Sequence, residues 1–97
     1  MGGYMREKWI EQQLVKAVKD MGGLALKFIS PGFDGMPDRL ILLPERKIAF
    51  VEVKAQGKTL RPLQEKRKRQ LESLGLLVFC LDHLEQIGGI LREIQSS

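Results

Sequence analysis

The stretch Pro37-Asp38-Arg39-Leu40-Ile41-Leu42-Leu43-Pro44-Glu45-Arg46-Lys47-Ile48-Ala49-Phe50-Val51-Glu52-Val53-Lys54 decides the fold. Two apolar segments, Asp38–Leu43 and Ile48–Lys54, flank a short polar link. A hairpin centred near Glu45 sets Asp38 almost directly across from Glu52. Residues opposite each other in such a pair have Cβ atoms about 5 Å apart. Glu52 and Lys54 are two apart and share a face of their strand, while Val51 and Val53 point to the other face. Carboxylates that close repel, by about 4 kcal/mol at 4 Å and an effective dielectric near 20. A divalent cation turns that cost into a binding site, because Mg²⁺ takes one or two carboxylates together with phosphate oxygens. The neighbouring lysine can then stabilise charge on a reacting phosphate.

Outward from this hairpin, the chain reads as αβββαβα. Ile10, Leu14, Ala17, Val18 and Met21 recur at helical spacing over about residues 5–21, and Gly22-Gly23 stops that helix. Leu24–Ile29 reads as a strand. Ser30 to Pro37 is a loop rich in glycine and proline. Ala55 to Thr59 is a polar loop, and a second helix is expected from Pro62 to Leu74, ended by Gly75. Leu76–Leu81 is a fourth strand. Asp82 reads as an N-cap with Glu85 three residues on, opening a last helix with Leu84, Ile87, Leu91 and Ile94. Gly88-Gly89 weaken that helix, at about 1 kcal/mol each, and suggest close approach to another backbone.

A chain of 97 residues is expected to form one domain over 1–97. Residues 1–4 carry no pattern and read as a flexible start or a cloning remnant. An apolar content of 43% with 29% charged residues is ordinary for a soluble globular protein. The net charge of +4 leans weakly toward an anionic partner. One cysteine, Cys80, excludes an intramolecular disulfide, and with His83 as the one histidine a zinc site within one chain is not expected. No stretch reaches membrane-spanning length, and the N-terminal stretch is not that of a signal peptide.

Pro37-Asp38 followed by Glu52-Val53-Lys54 resembles the PD-(D/E)XK nuclease signature. The wider sequence is similar to one branch of it, the virus-type replication-repair nuclease (VRR-Nuc) domain, from Arg6 to Ile94. The marks are Glu7, Gly22-Gly23, Lys27, Gly35-Met36-Pro37-Asp38-Arg39-Leu40, Val51-Glu52-Val53-Lys54, Gln64, Leu71, Leu74 and Gly75. The resemblance implies a restriction-endonuclease-like α/β fold, an αβββαβ core with a central mixed sheet flanked by helices. It implies Asp38 and Glu52 as ligands of Mg²⁺ or Mn²⁺, with the backbone carbonyl of Val53 as a third oxygen. Lys54 would orient or activate the attacking water, and Gln64 would help position the metal's water or Lys54. Glu7 would lie near the metals, binding a second one or holding a water. Glu7 and Glu11 are four apart on one helix face, so either could reach the site; spacing to Ile10 and Leu14 resembles the family better for Glu7. The reaction implied is metal-assisted phosphodiester hydrolysis.

Lys58, Arg61, Lys66, Arg67, Lys68 and Arg69 concentrate positive charge after the catalytic strand. As a group they suit a phosphate backbone, although most charge runs are solvated faces. Lys27 and Arg39 could also touch phosphate. Phe33 could wedge into DNA or pack at the domain edge. Asp34 reads as a loop residue, Trp9 as a packing or oligomer contact, His83 as structural and Cys80 as core. Small stand-alone domains of the resembled family are associated with homodimers that resolve four-way DNA junctions, and two-fold symmetry presents two sites to two strands. The expectation is therefore a homodimeric Holliday-junction resolvase in a bacterial or phage-infected cytoplasm, the last by analogy. The alternatives are a flap- or duplex-cleaving nuclease, or a DNA-binding module that does not cut. An RNA-cleaving enzyme and a base-specific restriction-type nuclease also stay open.

Overall fold

The computed structural model describes residues 6–97; the expectation for residues 1–4 lies outside them. Seven elements follow one another: α1 (Glu7–Asp20), β1 (Leu24–Lys27), β2 (Arg39–Leu43), β3 (Lys47–Val53), α2 (Pro62–Ser73), β4 (Leu77–Leu81) and α3 (Gln86–Gln95). The strands form one sheet in the order β1-β2-β3-β4. β1, β2 and β3 pair antiparallel, and β4 runs parallel to β3. A parallel neighbour needs a long crossover, which α2 provides. This is the expected α/β arrangement, an αβββαβ core with a mixed sheet flanked by helices, followed by α3. Among the described residues no helix is long and apolar enough to cross a membrane.

Side-chain alternation sorts the sheet into two faces. On one, Ile41, Leu43, Ala49, Val51, Val53 and Leu81 pack under α1 and α3. α1 meets them with Ile10, Leu14 and Val18, spaced at four, all fully buried. On the other face α2 covers a smaller cluster of Phe50, Leu71 and Val78, edged by Phe28, Met36 and Leu40. The Phe28 and Phe50 rings meet edge to face at 5.2 Å. Gly23 enters β1 where a Cβ would stand 2.3 Å from the Leu42 carbonyl, so no larger residue fits this approach to β2.

The β2–β3 ladder runs from Leu43↔Lys47 to Arg39↔Val51, which centres the hairpin on Glu45. Glu45 and Arg46 both have left-handed backbones, φ 67° and 63°. Without glycine, such conformations cost roughly 1 kcal/mol or more each.

The start of the last helix differs from expectation. α3 begins at Gln86, and Asp82 is not its N-cap. The Gln86 amide oxygen reaches back to accept the backbone N–H groups of Asp82 (3.0 Å) and His83 (3.2 Å). That long side chain spans the turn and leaves the Asp82 carboxylate to accept the Gly57 N–H at 3.2 Å. Gly88 and Gly89 are exposed and approach no other backbone among the described residues; the Arg92 guanidinium is their one near neighbour.

Candidate active site

The α2 face of the sheet carries three cross-strand rows. Leu24, Leu42 and Ile48 form the first, and Leu26, Leu40, Phe50 and Val78 the second. Asp38 stands one residue beyond the last β2–β3 pair. It therefore extends the third row, with Glu52 and its β4 neighbour Cys80. Apolar residues fill the first two rows, while the third, at the end of the sheet away from the hairpin turn, runs from Phe28 through the ionisable Asp38, Glu52 and Cys80.

Backbone contacts hold Asp38. Its carbonyl accepts the Phe28 N–H at 2.8 Å, and its Oδ1 accepts the Val53 N–H at 3.2 Å. An extended residue points its N–H and C=O to the same strand edge, so the Val53 carbonyl lies on the Asp38 side. Glu52 is 8% exposed. Its Oε2 accepts the Gln64 side-chain N–H at 3.1 Å and lies 3.5 Å from Lys54 Nζ. Gln64 in turn accepts the Arg61 backbone N–H at 2.9 Å, in the first turn of α2. Helix start and carboxylate are thus tied by one side chain. Lys54 is fixed from behind by its own N–H on the Leu81 carbonyl at 2.8 Å.

Burial pushes the Asp38 carboxyl up to about 6, helped by the charge of Glu52 and more weakly by Glu11 and Glu7. Burial also raises Glu52, with Lys54 opposing it. The pair is therefore a set of hard oxygen donors whose negative charge is disfavoured until a cation joins it, and Mg²⁺ or Mn²⁺ fits such a set. Among the described residues no group of three or more His, Cys, Asp or Glu side chains stands close enough to hold a metal ion. The side-chain donors at this place are Asp38 and Glu52.

The two carboxylates of α1 differ in their surroundings. Glu11 Oε2 receives both Arg39 Nε and an Arg39 terminal nitrogen at 2.9 Å, and Arg39 also donates to the Ala25 carbonyl at 3.0 Å. Arg39 is on the α1 face, opposite to Asp38, because its place in the ladder shares the parity of Val51. Its guanidinium is held by α1 and β1. Glu7 is exposed, makes no hydrogen bond or ion pair with a described residue, and adds to the field on both Asp38 and Glu52.

The basic residues divide likewise. Lys27 lines a cavity of about 380 Å³ on the α1 side with Lys8, Glu11 and Arg39. Lys58 and Lys68 line another of about 270 Å³ beside Cys80, Glu65 and Asp82. Lys68 also pairs with Glu72 at 2.9 Å. Lys66 and Arg69 are exposed, with no ion pair among the described residues. Arg61 is exposed at the start of α2. Arg67 is engaged within the chain: it donates to the Asp34 carbonyl at 2.7 Å and to Gln70 at 2.9 Å, and lies 3.8 Å over the Phe33 ring. Sequence reasoning misses both the Glu11–Arg39 pair and the partners of Arg67. Strand parity from Asp38 carries the signal for Arg39, whereas nothing in the basic run marks Arg67.

No family model matches the chain. It is 49% identical over 78 residues to the protein named Putative nuclease p44, from Acyrthosiphon pisum secondary endosymbiont phage 1, an alignment spanning 80% of this chain and 84% of that protein. A solved structure described as a VRR_NUC domain superposes with a TM-score of 0.84 at 28% identity, covering 89% of this chain and 94% of the other. Fold and sequence likeness thus extend across most of the length of all three proteins, and the chain belongs to the VRR-Nuc family of nucleases.

Proposed function

We propose that residues 1–97 form one nuclease domain, a Mg²⁺- or Mn²⁺-dependent DNA endonuclease that acts as a homodimer on four-way junctions. The observation that carries the metal-dependent reading is the third row of the sheet. There Asp38 and Glu52 face each other, with the Val53 backbone on one and Lys54 and Gln64 on the other. Asp38, Glu52 and the Val53 carbonyl hold the ion, which when bound supplies Lewis acidity toward a phosphate oxygen and a more acidic water. Lys54 orients the attacking water and offsets charge building on the phosphate. Gln64 fixes the rotamer of Glu52. Glu7, the carboxylate of α1 with no ion pair among the described residues, reaches the same space to hold a water or a second ion. Lys58, Arg61, Lys66, Lys68 and Arg69 draw the phosphate backbone along the start of α2.

One feature supports the dimer reading. The α2 face leaves its first row partly uncovered, with Leu24 57% and Ile48 40% exposed. A second copy of the chain would supply the second site that paired cuts need. A phage relative supports a bacterial, phage-infected cytoplasm as the place of action.

The test is cleavage of end-labelled four-way junction, 5′ flap and plain duplex, with and without Mg²⁺ or Mn²⁺, beside Asp38→Ala. Paired symmetric cuts on the junction, dependent on metal and absent in the variant, are expected. Cutting of flap or duplex alone would remove the resolvase reading. Normal cutting by Asp38→Ala would sink the site assignment.

A further inference from the structure

Asp38 and Glu52 repel each other, so the scaffold has to hold them together. Glu52 is held by Gln64. The segment leading into Asp38 is held by the same helix, one turn on. Gly35 has a left-handed backbone (φ 87°) and is pressed onto α2: a Cβ there would stand 2.7 Å from Leu63 Cγ and 3.1 Å from both the Leu63 carbonyl and Arg67 Cγ. Arg67 closes over this contact. Its Nε donates to the Asp34 carbonyl at 2.7 Å, its plane covers Phe33 at 3.8 Å, and a terminal nitrogen is fixed by Gln70 at 2.9 Å. Three residues further along the loop, Pro37 is buried and leads directly into Asp38.

We propose that Arg67 is a positioning residue of the active site: it locks the 33–37 loop onto α2 and so steadies Asp38 in the place opposite Glu52 that the β2–β3 register gives it, rather than binding the phosphate backbone as its place in a basic run suggests. This rests on the reading of Asp38 and Glu52 as the metal-binding pair. Gln64 and Arg67 are three apart and so lie near one another on the helix surface. One helix thereby grips the carriers of both carboxylates. A planar fork that stacks and donates at once is something arginine does and lysine does not. Charge and geometry can therefore be separated by one substitution.

The experiment compares wild type, Arg67→Lys and Phe33→Leu in four readings. These are kcat and KM on the junction, the salt slope of junction binding without metal, binding of Mn²⁺ alone by electron paramagnetic resonance, and amide hydrogen exchange at residues 34–36. Arg67→Lys keeps the charge and should lower kcat by roughly 10- to 100-fold, with a comparable loss of Mn²⁺ affinity, as is usual when a residue supporting metal ligands is removed. KM and the salt slope should stay near wild type, and exchange at residues 34–36 should speed up. Phe33→Leu leaves the guanidinium in place and should move the same readings in the same direction by less. Wild-type kcat and Mn²⁺ binding in Arg67→Lys would overturn the proposal. So would a selective change in KM or salt slope, which would return Arg67 to the phosphate track. A wild-type protein that binds Mn²⁺ but cuts no DNA would sink the nuclease site reading instead, while Mn²⁺ affinity and exchange still judge Arg67.

Discussion

Replacing Asp38 with asparagine should end cleavage and, without metal, make the protein more stable above pH 6. The folded carboxyl is pushed from 3.8 to about 6, so between those values the native state binds more protons than the unfolded chain. Stability therefore falls as pH rises from about 4 to about 6 and stays lowered above it. The rise corresponds to at most about 3 kcal/mol. Solvent reaches part of the carboxyl, which reduces the penalty to about 1–2 kcal/mol. Asparagine keeps an oxygen for the Val53 N–H and carries no charge, so it removes this penalty. Thermal melts in EDTA should then show Asp38→Asn above wild type at pH 8, by roughly 4–8 °C for each kcal/mol in a chain of this size. At pH 4 the two should converge. Mn²⁺ should raise the wild-type melting point by preferential binding to the folded state and leave the variant nearly unmoved. A variant that melts at or below wild type at pH 8 in EDTA, with no convergence toward pH 4, would refute the strained-carboxylate reasoning.

On α1, Glu7→Gln should raise the Mn²⁺ concentration needed for cleavage at unchanged melting temperature. Glu11→Gln should instead cost about 1–3 kcal/mol of stability by leaving Arg39 short of its charged partner; equal effects of the two would undo the distinction. Lys66→Ser with Arg69→Ser should lower the slope of log affinity against log salt by about one for each phosphate no longer neutralised, and an unchanged slope would return both to a solvated face. Glu45→Asn with Arg46→Gly should raise stability by roughly 1 kcal/mol, because both positions already have left-handed backbones; denaturant unfolding that shows a decrease would refute this. Leu24→Asp with Ile48→Asp should leave a folded monomer in sedimentation and abolish paired junction cuts, and a persisting dimer would move the interface elsewhere.

Much of this arrangement can be read from residue order because it depends on local periodicity. The hairpin centre at Glu45 is enough to set Asp38 across from Glu52, and the four-residue spacing of Ile10, Leu14 and Val18 marks the buried side of α1. Proline at the first position of α2 sets where that helix starts, and so where Gln64 meets Glu52. What stays hidden depends on contacts between segments far apart in sequence. Arg39 and Arg67 both sit in stretches that suit phosphate, yet one is bound by Glu11, 28 residues earlier, and the other by the Asp34 carbonyl, 33 residues earlier. The start of the last helix is hidden for the same reason: the Asp82 carboxylate accepts the N–H of Gly57, 25 residues earlier, while Gln86 accepts the N–H groups of Asp82 and His83.

α2 buries a single side chain, Leu71, whereas α1 buries three and α3 four. A helix so lightly anchored opens at a lower free energy than the rest of the molecule. When it lifts, Gln64 leaves Glu52 and Arg67 leaves the loop in the same event. The catalytic end of the sheet then comes apart while the α1 and α3 side stays folded. If Asp38 and Glu52 hold a metal as proposed, its affinity is reduced by the fraction of molecules in which this helix is open. A bound ion, by drawing the two carboxylates together, should slow amide exchange along residues 62–73 far more than along α1.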